Sequence, residues 1–317
     1  MRIGLMIGPE RGRYRTKVER LLADARWAEE AGLATVWIPQ IPDEFDALTA
    51  ATVVGTGTSR LEIGTAVVPV QPRHPIALAQ QALSVQAVCE GRLAIGLGVS
   101  HHWIIDEMLG LPYEHPVATM RAYLDVLDRA LAGPGPVDVE NGRFSVHNPL
   151  DITDVTPTPV LLAALGPRML QLCGERADGT ILWMADERAI GTYVVPTLTS
   201  AAEAAGRPAP RVVAGIPVCL CGDDEIDAAV ARTNRLLSEA EVSPNYQRLL
   251  EQGDARSVGD ILVAGSEASI EKRLIALAEA GVTDLSVRVV PIGEGRDELI
   301  ASSTRTRGLL ASLAGAF

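Results

Sequence analysis

The sequence predicts an α/β fold: a single (β/α)8 TIM barrel with small insertions, one domain over residues 1–317. Three observations carry this expectation. Residues 61–97 read as a complete strand–helix–strand unit whose two strands are apolar throughout, as parallel strands covered on both faces are. The unit recurs, so that eight strands, each followed by helix, can be counted. A chain of 317 residues also suits eight such units, and no composition shift marks a domain boundary.

Residues 2–7 form the first strand, and Thr16 can cap a helix that Gly32 ends. Residues 33–38 are the second strand, closed by Pro39-Gln40-Ile41-Pro42, and residues 48–54 a short helix before Gly55 and Gly57. The third strand, 61–68, stops at Pro69-Val70-Gln71-Pro72. Pro75 opens the next helix in the first turn, where its missing N–H costs nothing. Ile76, Ala79, Leu83 and Ala87 mark that helix's apolar face. Glu90-Gly91 turns the chain into the fourth strand, 92–97; a loop over 103–115 and a helix over 116–131 follow. Val137, Val139, Phe144 and Val146 alternate as in a small hairpin between 133 and 149. The fifth strand, 160–164, leads through Gly166-Pro167-Arg168 into a helix to 176. The sixth, 179–184, precedes a helix through 205, and Gly206-Arg207-Pro208 breaks the chain before the seventh, 212–220. Helices over 225–240 and 244–252, a loop containing Val258-Gly259-Asp260, and a helix over 269–280 lead to the eighth strand, 285–290, and a last helix, 297–313.

Apolar residues make up 47% and charged residues 21%, which supports a large core rather than disorder. With 4% aromatics, a net charge of −12 and no Lys/Arg cluster, neither nucleic acid nor an anionic membrane surface is an expected partner. No apolar run approaches the ~18 residues of a membrane span, and the N-terminal one is short for a signal peptide. A cytoplasmic protein is expected. Cys89, Cys173, Cys219 and Cys221 lack disulfide or zinc spacing, and Cys219 and Cys221 alternate in a strand as buried thiols would. Residues 75–89 carry no charge, their polar positions being Gln80, Gln81, Ser84 and Gln86. A solvated face would show charges. This helix is therefore expected to meet a second copy in a homodimer, the alternative being a polar but exposed helix.

In such barrels chemistry sits at the C-terminal ends of the strands. There the chain offers Gly8-Pro9, Gln40-Ile41, residues 66–69, Gly96-Leu97-Gly98-Val99-Ser100-His101, residues 166–169, Trp183-Met184 and Pro291. The two glycines of the fourth strand permit close approach to a ligand, but the third glycine of a dinucleotide fingerprint is absent. His101 is the titratable candidate, able to bond a cofactor carbonyl or give a proton to substrate. His102 with Asp106 and Glu107 has no second group of ligands, and no metal is expected. Gly166-Pro167-Arg168 opens a helix whose N-terminus, with a guanidinium beside it, suits a phosphate. Arg73-His74-Pro75 either reaches an anionic ligand group or closes its own loop.

Read together, these residues resemble the bacterial-luciferase-like family of flavin and deazaflavin barrels, and within it the oxidoreductases that use coenzyme F420. The resemblance is carried by Ala28-Glu29-Glu30-Ala31-Gly32 into Val36-Trp37, Gly64-Thr65-Ala66-Val67, Gly91-Arg92-Leu93 into Gly96-Leu97-Gly98, and Ala164-Leu165-Gly166-Pro167-Arg168-Met169 before Ala177-Asp178-Gly179. It implies a bulge with a non-prolyl cis peptide at Ala66-Val67 behind the deazaflavin ring. It further implies Gln40 and Gly98-Val99-Ser100-His101 along that ring, and Leu165, Gly166, Pro167, Arg168 and Met169 around the phosphate of the cofactor tail. Sugar-phosphate dehydrogenases of this family carry an aspartate–histidine pair after the second strand, where this chain has Gln40-Ile41; their acid after the Gly-rich loop is here His101. The implied reaction is hydride transfer to a C=C or C=N bond of a small organic substrate, with the catalytic candidate His101 or water supplying the proton and Ile41, Phe45, Trp103 and Trp183 as an apolar pocket. Competing expectations are an FMN-dependent monooxygenase on the same barrel and a non-catalytic flavin-binding protein.

Overall fold

The computed structural model describes residues 1–8, 16–237 and 243–317. The apolar runs become β1 (Arg2–Met6), β2 (Thr35–Ile38), β3 (Glu62–Thr65) continued by β4 (Val68–Pro69), β5 (Leu93–Gly98), β8 (Val160–Leu162), β9 (Gly179–Trp183), β10 (Arg211–Leu220) and β12 (Asp284–Val289); β6 (Gly135–Glu140) and β7 (Ser145–Leu150) pair as the expected hairpin. The eight barrel strands are all parallel, in the order β1-β2-β3-β5-β8-β9-β10-β12, and β12 pairs with β1 to close the ring. The connecting helices include α1 (Lys17–Glu30), α2 (Ala47–Gly57), α3 (Pro75–Val88), α4 (Pro116–Leu131), α5 (Pro167–Arg176), α6 (Glu187–Ala189), α7 (Val195–Ala204), α8 (Ile226–Leu237), α9 (Pro244–Glu251), α10 (Val258–Ile261), α11 (Glu267–Glu279) and α12 (Arg296–Ser312). Among the described residues no helix is long and apolar enough to cross a membrane.

Register fixes what the barrel interior contains, because paired residues of neighbouring strands face the same side. At the N-terminal end, Arg211 bonds Glu62 at 2.7 Å and Asp284 at 3.0 Å, and Arg2 joins both carboxylates. This cluster is the barrel floor. Above it Trp37, Leu161, Ile181 and Val213 form a buried apolar layer, with Trp37 Nε1 donating to Thr35 Oγ1 at 2.9 Å. The Trp37 ring lies where a Cβ on Gly64 would sit, so only glycine fits there.

Several local expectations are corrected. Thr16 stands at the start of α1 but makes no side-chain capping bond. The helix α2 does not stop before Gly55 and Gly57. Gly55 lies inside it and Gly57 is its last residue, with Cys89 Sγ and Leu22 filling the space their side chains would take. A π-helical turn, Trp103–Met108, occupies part of the expected 103–115 loop. The region of Val258-Gly259-Asp260, read as a loop, is α10, and β11 (Val263–Gly265) follows it, pairing with the C-terminal half of β10 beyond the residues that β9 reaches. The helix expected over 225–240 is seen as α8 to Leu237; residues 238–240 and Pro9 lie outside the described residues. All four cysteines are buried free thiols, and burial pushes Cys219 up to about 12.

Candidate active site

The strand ends open into one cavity of about 1790 Å³. Its apolar wall is the junction between β3 and β4. There the Ala66–Val67 peptide is cis, and Ala66, Val67 and Ala163 present small apolar groups to the cavity. The two glycines of β5 stand behind this wall. A Cβ on Gly98 would lie 2.7 Å from Val67 Cγ2 and 3.2 Å from Ala163 Cβ, and one on Gly96 would collide with the Thr65 carbonyl. The close approach they permit is therefore to the bulge. Gly98, expected along the ring, is not on the cavity wall.

Immediately after Gly98 the chain turns into the cavity. Ser100 takes a left-handed conformation (φ 56°), and the loop is tied by Gln71 Nε2 to the Val99 carbonyl (2.7 Å) and by the Tyr113 hydroxyl to the Ser100 carbonyl (3.2 Å). The His101 ring is stacked on Trp103 at 4.3 Å and 12°, with Tyr246 of α9 at 5.7 Å on a tilt. Burial, reinforced by the neighbouring His102, lowers the His101 pKa below its ordinary 6.5. The imidazole is neutral at pH 7, and neither ring nitrogen has a hydrogen-bond partner among the described residues. Tyr246 is pushed by burial up to about 12 and keeps its proton.

A second wall carries positive charge. Gly166 precedes α5 without a side-chain cap and Pro167 fills the first helical position, which leaves first-turn N–H groups facing the cavity mouth. Arg168 lines the cavity there, and Arg248 Nη1 lies 3.5 Å from the point a Cβ on Gly166 would occupy. The Tyr193 hydroxyl donates to the Leu165 carbonyl at 3.3 Å and holds the turn.

Of the sequence-predicted residues, the fold brings Gln40, Ile41, Ala66, Val67, Val99, Ser100, His101, Trp103, Leu165, Gly166, Pro167, Arg168, Met169 and Trp183 to one cavity. Phe45 is not among them. It is 45% exposed and lies under the Lys17 ammonium, 5.2 Å from its ring centre, because Asp46 starts α2 one residue later and directs Phe45 outward. Gln40 Oε1 accepts from the Ala47 N–H at 2.9 Å, so the side chain offers the cavity only its NH₂. Arg73 closes its own loop: it pairs with Asp46 and donates to Gln81 Oε1 at 3.1 Å. Sequence reasoning missed Tyr246 and Arg248, which reach the site from a helix far along the chain, and Ser286 and Arg288 on β12. The last pair had a signal. Residues 284–288 read Asp-Leu-Ser-Val-Arg, an alternation that sends polar side chains into the barrel.

The sequence model of the family described as luciferase-like monooxygenase matches residues 1–284 of this chain. The chain is similar to the uncharacterized protein Rv1360 of Mycobacterium tuberculosis, 30% identical over 207 residues; the match spans 62% of this chain and 61% of that protein's length. It is also similar to the 5,10-methylenetetrahydromethanopterin reductase of Methanopyrus kandleri, 23% identical over 90% of this chain and 92% of that one. The solved coenzyme F420-dependent tetrahydromethanopterin reductase of Methanopyrus kandleri superposes with a TM-score of 0.74 over 99% of this chain and 97% of that one, at 20% identity. The FMN-bound oxygenating constituent of 3,6-diketocamphane monooxygenase from Pseudomonas putida does so with a TM-score of 0.79 over 100% and 98%, at 16% identity.

Proposed function

This chain belongs to the luciferase-like monooxygenase family, and from that premise we propose that it is a coenzyme F420-dependent oxidoreductase of the cytoplasm that reduces a C=C or C=N bond in a small organic molecule. The observation that carries the reading is the pairing, in one cavity, of an apolar bulge at Ala66–Val67 with a helix N-terminus flanked by Arg168 and Arg248, which suits an anion. A flat ring with a phosphate-bearing tail needs both. The cavity is also larger than the roughly 300–1,000 Å³ that one small ligand occupies, leaving room for a second molecule. The reductase relative from Methanopyrus kandleri, aligned over nearly the full chain, supports the deazaflavin over FMN.

Bound there, the deazaflavin would supply hydride from a ring carbon. The protein's part is the rest. Ala66, Val67 and Ala163 would exclude water behind the ring, and α5 with Arg168 and Arg248 would hold the tail. His101, neutral and braced by Trp103, can relay a proton: one ring nitrogen gives its proton to the substrate while the other takes one from water, so the ring ends neutral. Gln40, with its carbonyl oxygen engaged by Ala47, supplies no acid, which disfavours alcohol oxidation through a carboxylate–histidine pair.

The same reading includes a homodimer through α2 and α3. Their outward residues, Thr49 and Thr56 on one and Ala77, Gln80, Ser84 and Val88 on the other, form an uncharged surface.

The test is a titration of the protein with oxidised coenzyme F420 and with FMN, followed by quenching of tryptophan fluorescence. Micromolar binding of coenzyme F420, and oxidation of its reduced form by an enone or imine from a panel, are expected. Binding of FMN without binding of coenzyme F420 would overturn the assignment in favour of the monooxygenase reading.

A further inference from the structure

The inward face of β12 differs from every other wall of the barrel. From floor to mouth it reads Asp284, Ser286, Arg288, and only the first of these belongs to the ionic floor. Ser286 is 1% exposed, lines the cavity, and its Oγ has no hydrogen-bond partner among the described residues. Buried hydroxyls are ordinarily satisfied, and one left open on a cavity wall points to a group that arrives from outside the chain. Its neighbours in register, Gly4 and Gly215, carry no side chains that could serve it; their space is taken by Thr35 and by the Trp183 ring. Arg288 stands one inward position nearer the mouth, on the same face of the strand.

The charge of the cavity agrees. Seven arginines line it against three carboxylates, in a chain whose net charge is −12. Arg168 and Arg248 flank the start of α5, whereas Ser286 and Arg288 belong to β12 on a separate wall. The two walls are therefore separate: a cofactor tail held at the start of α5 leaves Ser286 and Arg288 facing the rest of the cavity. A guanidinium with a hydroxyl donor behind it matches a planar, two-oxygen anion.

We propose that Ser286 and Arg288 form the subsite for a carboxylate on the substrate, so that the protein acts on unsaturated organic acids rather than on neutral molecules. The proposal rests on the oxidoreductase reading above, in which the apolar bulge and α5 hold the cofactor and β12 faces the space left for substrate. Ser286 donates its hydroxyl hydrogen to one carboxylate oxygen and Arg288 its N–H groups to the same carboxylate; Trp183 and Ile41 bound the apolar remainder.

Three carboxylate–carboxamide pairs test this: benzoate and benzamide, cinnamate and cinnamamide, decanoate and decanamide. Each is titrated by tryptophan fluorescence, and coenzyme F420 is titrated separately on the same proteins. The expected result is that at least one carboxylate binds about tenfold or more tightly than its amide. Arg288→Gln removes that preference while leaving coenzyme F420 affinity within about twofold, Arg288→Lys restores part of it, and Ser286→Ala weakens the carboxylate about threefold. Thermal melts establish that each variant is folded, and the Ser286→Ala and Arg288→Lys results decide the matter if Arg288→Gln is not. Absence of a preference in all three pairs overturns the proposal, as does a preference that survives in both Arg288→Gln and Ser286→Ala. A loss of coenzyme F420 affinity in Arg288→Gln as large as the loss for carboxylate also overturns it, by assigning the wall to the cofactor. Failure of the wild type to bind coenzyme F420 at all strikes the cofactor reading instead, and the carboxylate preference is then judged on its own data.

Discussion

His101 is held between two rings, and its depressed pKa has a consequence for stability. The unfolded chain takes up a proton near 6.5, whereas the folded one resists until the pH has fallen further. The stabilising difference is thus fully present above about pH 6.5 and is lost as pH falls through the folded pKa. Urea titrations should show the wild type losing stability against His101→Gln between pH 6.5 and 5, with no divergence from pH 7 to 8. Turnover of the reduced cofactor with its substrate should fall by about 10²-fold in His101→Gln if the imidazole is the proton source; unchanged turnover would transfer that role to water. Gly98→Ala is a separate prediction. Its new methyl would press on Val67 and Ala163, which should cost about 1–3 kcal/mol in urea denaturation and weaken coenzyme F420 binding with it. The place of His101 on the cavity wall was legible in the sequence because the residues just past a barrel strand's C-terminal end face the mouth. The purpose of the glycines was not, since their contact is with a bulge thirty residues away in sequence. Phe45 misled because apolar character alone does not say which side of a helix start a ring falls on.

Among the helices, α2 and α3 are fastened to each other by one carboxylate. Asp46 accepts from the Thr49 N–H at 2.9 Å, capping α2, and pairs with Arg73, which also bonds Gln81 on α3. Burial alone would raise the Asp46 pKa, but the bonds from Thr49 and Arg73 outweigh it and hold the carboxyl below its ordinary 3.8. Its contribution is accordingly present above about pH 3.8 and lost as pH falls through the lowered value. Asp46→Ala should cost about 1–2 kcal/mol in urea denaturation at pH 7. Asp46→Asn, which keeps a capping oxygen, should cost less and should flatten the decline in melting temperature below about pH 4. Helix boundaries such as Pro116–Leu131 were readable from proline and periodicity, because those signals are local. The π-helical turn at Trp103–Met108 and the three-residue β11 were not, since the first depends on the stacking of His101 and Trp103 and the second on the free edge that β9 leaves along β10.

For the whole molecule, eight apolar strands predicted the barrel, but the count says nothing of the register that places Asp284, Ser286 and Arg288 on one inner wall. With it Arg288 joins six helix-borne arginines along the cavity, while the chain as a whole is acidic. The outer surface therefore carries the acid, and the uncharged face of α2 and α3 stands out against it. Two copies joined by a two-fold axis present the same patch to each other, so any charge placed there appears twice at short range. Ala77 and Ser84 lie one and three turns into α3, both exposed. The wild type should sediment as a dimer of the 33.6 kDa chain at micromolar concentration. The Ala77→Glu/Ser84→Glu double variant should sediment as a monomer, with its melting temperature falling at low protein concentration no further than the wild type's does on dilution. Because neither residue touches the cavity, coenzyme F420 affinity should survive in that monomer, separating assembly from the site. A wild type that runs as a monomer under those conditions removes the dimer and leaves the uncharged face an ordinary exposed surface.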